Sequence, residues 1–276
     1  MLIGNTRICG IGSLSVKNTY DPDALAYLTA VEAADGQALE NSVKVAVNTF
    51  VVGCKSDGIW DAIVGCCIMA GARTYTGALV PLKGTAPTNY NFASGDYSRK
   101  LGLLGDASTK YLATGYNNNE SGSGQNFPQD NSHMSVYVTS VPSLSASAQI
   151  FCGTTVSIGS YWYMAQAGSS SSNLQTKGRT GTTTTQTITG QGQTTGFKAL
   201  YRDNSASCIV RSSQTNTSTS VASVTPVSAT IGVFASGTGA SKSSARMSFY
   251  SLGKALTLSS LDSRITTLMT TLNALL

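Results

Sequence analysis

Three observations predict that this 276-residue chain is mainly β, a jelly-roll sandwich with a small N-terminal helical segment and a C-terminal helix. The stretch Lys83 to Tyr116 alternates apolar and polar residues, breaks at Gly, Asn and Asp, and never shows helical spacing. Short apolar runs separated by turn residues then recur as far as Leu252, the pattern of a sandwich. Helical periodicity is confined to the two flanks, before residue 60 and after residue 257.

The elements follow in order. Residues 1–20 read as an extended arm with Gly4, Gly10 and Gly12, of the kind that frays or docks. Residues 21–72 read as a helical cap. Asp21-Pro22-Asp23 is a helix-start signal, with Pro in the first turn and acids at the positive helix end. Leu25, Leu28 and Val31 give one apolar face, and Asp35-Gly36 ends it. Leu39, Val43, Ala46, Val47, Phe50 and Val51 form a second face, stopped by Ser56-Asp57-Gly58. Trp60 is expected to plug the joint between cap and sheet, and Val64 to Ala70 reads as a buried strand.

Residues 73–276 are expected to form the sandwich. Candidate strands are 78–82, 97–104, 110–113, 134–140, 149–154, 161–165, 196–203, 206–211, 229–235 and 245–252. Leu101, Leu103, Leu104, Tyr111 and Leu112 are expected to face inward. Tyr116–Asp130 and Gly168–Thr195, rich in Asn, Ser, Thr and Gly, resist assignment, apart from Thr-rich edge strands around 182–188. At the end, Ser259-Ser260-Leu261-Asp262 has the layout of a capping box. Leu258, Leu261, Ile265, Leu268, Leu272 and Leu275 follow at 3-4-3-4-3 spacing, which fits a helix lying on its own sandwich or a self-associating seam.

Net charge is +5, unevenly spread. Residues 1–130 carry nine Lys or Arg against eleven acids, a net of −2, and residues 131–276 carry nine against Asp203 and Asp262, a net of +7. The cations of the second half form no run, so nucleic-acid binding is not expected. No apolar run approaches a membrane span, and the beginning lacks a signal-peptide pattern. Six cysteines without Cys-x-x-Cys spacing, and one histidine, give no zinc motif; buried reduced thiols are the expectation.

Catalytic signatures are sparse. A glycosidase needs two flanking carboxylates, and after Asp130 only Asp203 and Asp262 are present, the latter assigned to the cap. Ser251-x-x-Lys254 lacks the companion motifs of a penicillin-binding enzyme, and Gly190-x-Gly192 lacks the rest of a nucleotide turn. His133 reads as structural. The expectation is a non-enzyme with no cofactor and no metal. Candidate carbohydrate contacts are Tyr161 and Tyr163, sent to one face of a strand while Trp162 takes the other, and the amides of Asn117 and Asn118. The loop Asn117 to Glu120 could also offer oxygens to calcium.

Asp21–Gly36 (DPDALAYLTAVEAADG), Phe50–Val80, Asn89–Tyr111 and Arg246–Leu272 (RMSFYSLGKALTLSSLDSRITTLMTTL) together resemble tailed-bacteriophage virion proteins of the tail-fibre or receptor-binding type. The closing FYSLGKALTLSSLDSRI is similar to the ending of a LamG-like, concanavalin A-like domain. The resemblance implies a jelly-roll sandwich on a virion, assembled in the host cytoplasm. It implies contact with host surface polysaccharide or lipopolysaccharide and with other virion proteins. A homotrimer, gaining avidity from linked weak sites, is the expected assembly. Lectin calcium and sugar ligands do not carry over, and the long fibrous shaft of many tail fibres is missing. The alternatives are a capsid decoration or head-fibre protein and a polysaccharide depolymerase.

Overall fold

The computed structural model describes residues 20–119, 127–154, 160–181 and 184–276. Helix α1 (Pro22–Asp35) begins where the sequence signals it: the Asp21 carboxylate accepts from the Asp23 N–H at 3.0 Å, and Gly36 ends the helix in the left-handed region at φ 67°. Helix α2 spans Asn41–Ser56. The chain then forms β1 (Ile63–Ile68), the short α3 (Tyr75–Ala78), β2 (Pro81–Lys83), β3 (Thr88–Tyr90), β4 (Tyr97–Ser98), β5 (Gly102–Leu104), β6 (Tyr111–Asn117) and β7 (Ser132–Ser140). Next come β8 (Gln149–Thr154), β9 (Tyr161–Gln166), β10 (Leu174–Thr180), β11 (Gln186–Ile188), β12 (Gly196–Arg202), β13 (Ser207–Ser212) and β14 (Thr215–Ser220). It closes with β15 (Thr230–Val233), β16 (Arg246–Gly253) and α4 (Leu258–Leu275).

These strands form two antiparallel sheets packed face to face as a sandwich. The nine-stranded sheet runs β14-β13-β12-β7-β16-β1-β2, with the β4–β5 hairpin joined to β16. The seven-stranded sheet runs β11-β10-β9-β8-β15-β6-β3. Between the sheets lies one core, built from Leu112, Met134, Phe151, Trp162, Leu200, Phe234, Met247 and Tyr250 among others. A second core lies on the outer face of the nine-stranded sheet, where α1, α2 and α4 cover Ile63, Ile68, Phe197, Ala199 and Phe249. The molecule is therefore three layers, helices on sheet on sheet, and the seven-stranded sheet forms the layer farthest from the helices. Strand β1 lies within the 21–72 segment yet pairs with both β16 and β2, so the cap is tied into the sheet by its own chain.

Several local expectations need correction. Leu101 is 42% exposed, because it sits in the turn between β4 and β5. There Gly102 adopts φ 84° against the Met247 carbonyl, a place no side chain could occupy. Tyr111 faces outward, since Leu112 beside it is in the core. Asp262 caps nothing: α4 starts at Leu258 with Thr257 as N-cap, and Asp262 instead binds Arg211 of β13 at 2.8 Å. In α4, Leu258, Leu261, Ile265, Leu268 and Leu272 are buried within the chain, in the core shared with α2 and the nine-stranded sheet. Five of the six seam leucines and isoleucines are thus used within the chain, and Leu275 alone of them is exposed, at 42%.

Trp60 is buried in the helical-layer core, with the Lys83 ammonium 4.8 Å from its ring. His133 is fully buried, its Nδ1 2.6 Å from the Lys254 carbonyl and its Nε2 3.0 Å from the Ser251 hydroxyl. Nδ1 facing a carbonyl must donate, so Nε2 accepts from Ser251. Burial pushes the imidazole down to about 4. Cys54, Cys66, Cys67, Cys152 and Cys208 are free and buried; Cys9 and the arm before Tyr20 lie outside the described residues. No described helix is long and apolar enough to cross a membrane.

Candidate carbohydrate-contact face

The register of the seven-stranded sheet sets up its outer face. Trp162 points into the core, which sends Tyr161 and Tyr163 to the other side of β9. Their rings meet edge to face, 6.3 Å apart. Lys177 stands opposite Tyr163 on β10, and its ammonium lies 4.2 Å from the Tyr161 ring. Burial, followed by the neighbouring Tyr161, pushes the Tyr163 phenol up to about 12, and burial lowers Lys177. The two tyrosines are half-buried, and with its phenol pushed up Tyr163 stays neutral at physiological pH, so the pair offers ring surface and hydroxyls.

At the other edge of the same face, Tyr90 of β3 stands directly opposite Tyr111 of β6. The rings stack at 4.3 Å with 6° between their planes, and Tyr90 is 40% exposed. Lys242 reaches to 5.8 Å from the Tyr111 ring. This second pair was not foreseen as a site. Its signal was weak: β3 is a three-residue strand, and pairing across it cannot be read from Tyr90 alone.

One continuous row connects the two pairs: Lys177, Tyr163, Gly153, Gly232, Ala113 and Thr88 are successive neighbours across the strands. Tyr163 and Ala113 are therefore three strand spacings apart, about 14 Å. Tyr111 lies two residues farther along β6, so the pairs are separated by roughly 16 Å before twist is counted. A single sugar ring does not bridge that span, and the Ala235–Ser236 backbone lies over Gly232 midway along it.

Asn117 and Asn118 do not join this face. The Asn117 side chain accepts from the backbone N–H of Asn119 at 3.0 Å and of Ala229 at 2.9 Å, and donates to Ser228 at 2.8 Å, which closes the chain end of β6. Asn118 is fully buried and points between the sheets. The amides expected to meet sugar hydroxyls are thus structural or internal, and Glu120 lies outside the described residues.

Among the described residues no opposed acid pair emerges. Asp96 binds Lys110 at 2.6 Å, Asp203 accepts from Tyr201 at 2.8 Å, and Asp262 is held by Arg211. Burial pushes the Asp106 carboxyl up, but the Thr109 hydroxyl at 2.6 Å and the N–H groups of Ser108, Thr109 and Lys110 outweigh it and hold the carboxyl far below the usual range. Among the described residues no group of three or more His, Cys, Asp or Glu could hold a metal ion. An apolar groove of about 380 Å³ between α2 and α4 is lined by Val45, Phe50, Leu268 and Leu275 and holds no carboxylate.

The fold defines a β-sandwich with a helical layer on one side. No protein-family model matches the chain, and no curated protein matches it. Among solved structures, it is similar to the binding domain of botulinum neurotoxin serotype D. The TM-score is 0.47 at 11% identity, over 75% of this chain and 51% of that one, so this chain spans about half the neurotoxin domain's length. It is also similar to the CBM40 of a Ruminococcus gnavus IT-sialidase bound to alpha2,6 sialyllactose, with TM-score 0.32 and 12% identity over 58% of this chain and 96% of that one. Likenesses of this size do not bear on function.

Proposed function

We propose that the chain is a non-enzymatic glycan-contact protein that works through the outer face of its seven-stranded sheet. One observation carries this reading: two tyrosine pairs, each with a lysine over a ring, lie on one sheet face joined by a register of small residues. Aromatic rings present apolar surface with a hydrogen-bonding tip, which suits the C–H faces and hydroxyls of sugars. The partly exposed Lys242 favours an acidic polymer, as does the +7 net charge of residues 131–276. Resemblance of Asp21–Gly36 and Arg246–Leu272 to tailed-phage virion proteins supports a place on a virion, with host polysaccharide or lipopolysaccharide as the surface contacted. Multivalent display, as a trimer or on a larger assembly, would compensate for weak single sites.

The test is binding to immobilised lipopolysaccharide and capsular polysaccharide from candidate hosts. Tyr90→Ala and Tyr161→Ala are each expected to weaken binding about tenfold, ~1.4 kcal/mol. Unchanged binding in both variants would overturn the reading. Release of oligosaccharide from the polymer would overturn its non-enzymatic part, and labelled-antibody electron microscopy of particles decides the virion assignment.

A further inference from the structure

One end of the sandwich is closed by a buried polar layer. Alternation from the core residues Tyr116, Met134, Trp162 and Leu200 places Asn118, Ser132, Ser160 and Arg202 on the inward faces of their strands or strand ends. Thr154 stands opposite Trp162 in the β8–β9 register and shares its inward face. Arg179 enters the same layer from a bulge in β10, with φ 58°, a left-handed conformation that a non-glycine residue adopts at a cost. Its guanidinium lies 4.5 Å from the Trp162 ring and is fully buried.

The two guanidiniums differ sharply. Arg202 is committed: it donates to the carbonyls of Gly178, Asn204 and Val221 at 2.9 to 3.2 Å. Arg179 makes one long bond, Nη2 to the Asn118 carbonyl at 3.4 Å, while Nε and Nη1 have no partner among the described residues. The same holds for both side-chain atoms of Asn118, for the hydroxyls of Ser132, Thr154 and Ser160, and for one oxygen of Asp130. Of the nine unpartnered buried side-chain atoms found among the described residues, eight belong to this layer. The opposite end offers a contrast, because buried Lys198 is satisfied by Gln191, Thr194 and Ser212. Buried unpaired polar groups are costly, and a cluster of them calls for an occupant.

The chemistry of the unmet atoms selects that occupant. Six can donate, and only the oxygens of Asn118 and Asp130 are limited to accepting. Two guanidiniums face one carboxylate, which leaves the layer positive. We propose that this layer is an anion site in which Arg179, Asn118, Thr154 and Ser160 hold a small free oxyanion of the sulfate or phosphate type. Burial, opposed by Asp130 and reinforced by Arg202, drives the Arg179 guanidinium down to about 9, still charged at neutral pH, and an anion beside it would raise that value again. The site is separate from the tyrosine face, lying on the other side of β9, and does not depend on glycan binding.

Crystals soaked in sodium selenate should show an anomalous peak within hydrogen-bond distance of Arg179 Nε or Nη1; ordered water alone in the layer would overturn the proposal. In solution, replacing chloride by sulfate at fixed ionic strength should raise the thermal midpoint saturably in the wild-type protein. The saturable part should vanish in Arg179→Met. Asn118→Asp, which is isosteric and places a carboxylate against Arg179, should also be insensitive to sulfate and start from a higher midpoint. An equal sulfate response in all three proteins would overturn the proposal, since sulfate would then act only by exclusion from the surface.

Discussion

Arg211 of β13 and Asp262 of α4 meet at 2.8 Å with side chains only 11% and 6% exposed, and they bolt the terminal helix to the nine-stranded sheet. Arg211 also donates to Asn216, and Asp262 accepts from Thr266, so both charges are further hydrogen-bonded. Removing one partner strands the other charge. Asp262→Asn is expected to cost roughly 3 kcal/mol in urea unfolding, whereas the paired change Arg211→Met with Asp262→Leu should recover most of the loss.

The apolar side of the same helix gives a second expectation. Ile265 is fully buried within the chain's own helical-layer core. Ile265→Ala should therefore lower stability by about 2–5 kcal/mol and leave the mass in solution unchanged. A variant that dissociates an oligomer at unchanged monomer stability would return the seam to an intermolecular role.

His133 sets a pH dependence. Its folded value of about 4 lies below its ordinary 6.5, so between these values the unfolded chain binds more protons than the folded one. Stability is then full above about pH 6.5 and falls as pH drops toward 4, by ~3 kcal/mol at most. His133→Gln should flatten that segment of the stability–pH curve. A wild-type curve already flat from pH 7 to 4 would contradict the buried neutral imidazole.

The thiols give a chemical test. Burial raises Cys54 to about 12 and moves Cys66, Cys67, Cys152 and Cys208 upward as well. Thiolate is the reactive form, so these five should resist a disulfide-exchange reagent in the native protein and label fully once the chain is unfolded.

How much of this was legible depends on how local the determinant is. Helix α1 could be read because Asp21, Pro22 and Gly36 act within a turn of the residues they cap, and β8 because the apolar run 150–152 sits at its centre. Strands β10 (LQTKGRT) and β14 (TNTSTS) escaped because neither shows apolar alternation: β14 is a hydroxyl-rich edge, and β10 carries Lys177 and Arg179. Asp262 was misread because a local capping pattern competes with an ion pair 51 residues away in the chain. In the candidate face, Tyr161 and Tyr163 followed from alternation around Trp162. Tyr111 did not, because a one-residue change of register exchanges core for solvent. Asn117 and Asn118 looked like loop surface, but their burial is set by the packing of β6 against β15 and by the closing of the sandwich end.

The most direct test is to map a bound oligosaccharide by nuclear magnetic resonance on protein labelled at the tyrosine rings. The rings of Tyr90, Tyr111, Tyr161 and Tyr163 should shift together on titration, while Tyr27 and Tyr250, buried in the helical-layer and inter-sheet cores, stay fixed. Shifts confined to the helical face, or to none of these four rings while the sugar binds, would contradict the tyrosine face as the contact surface.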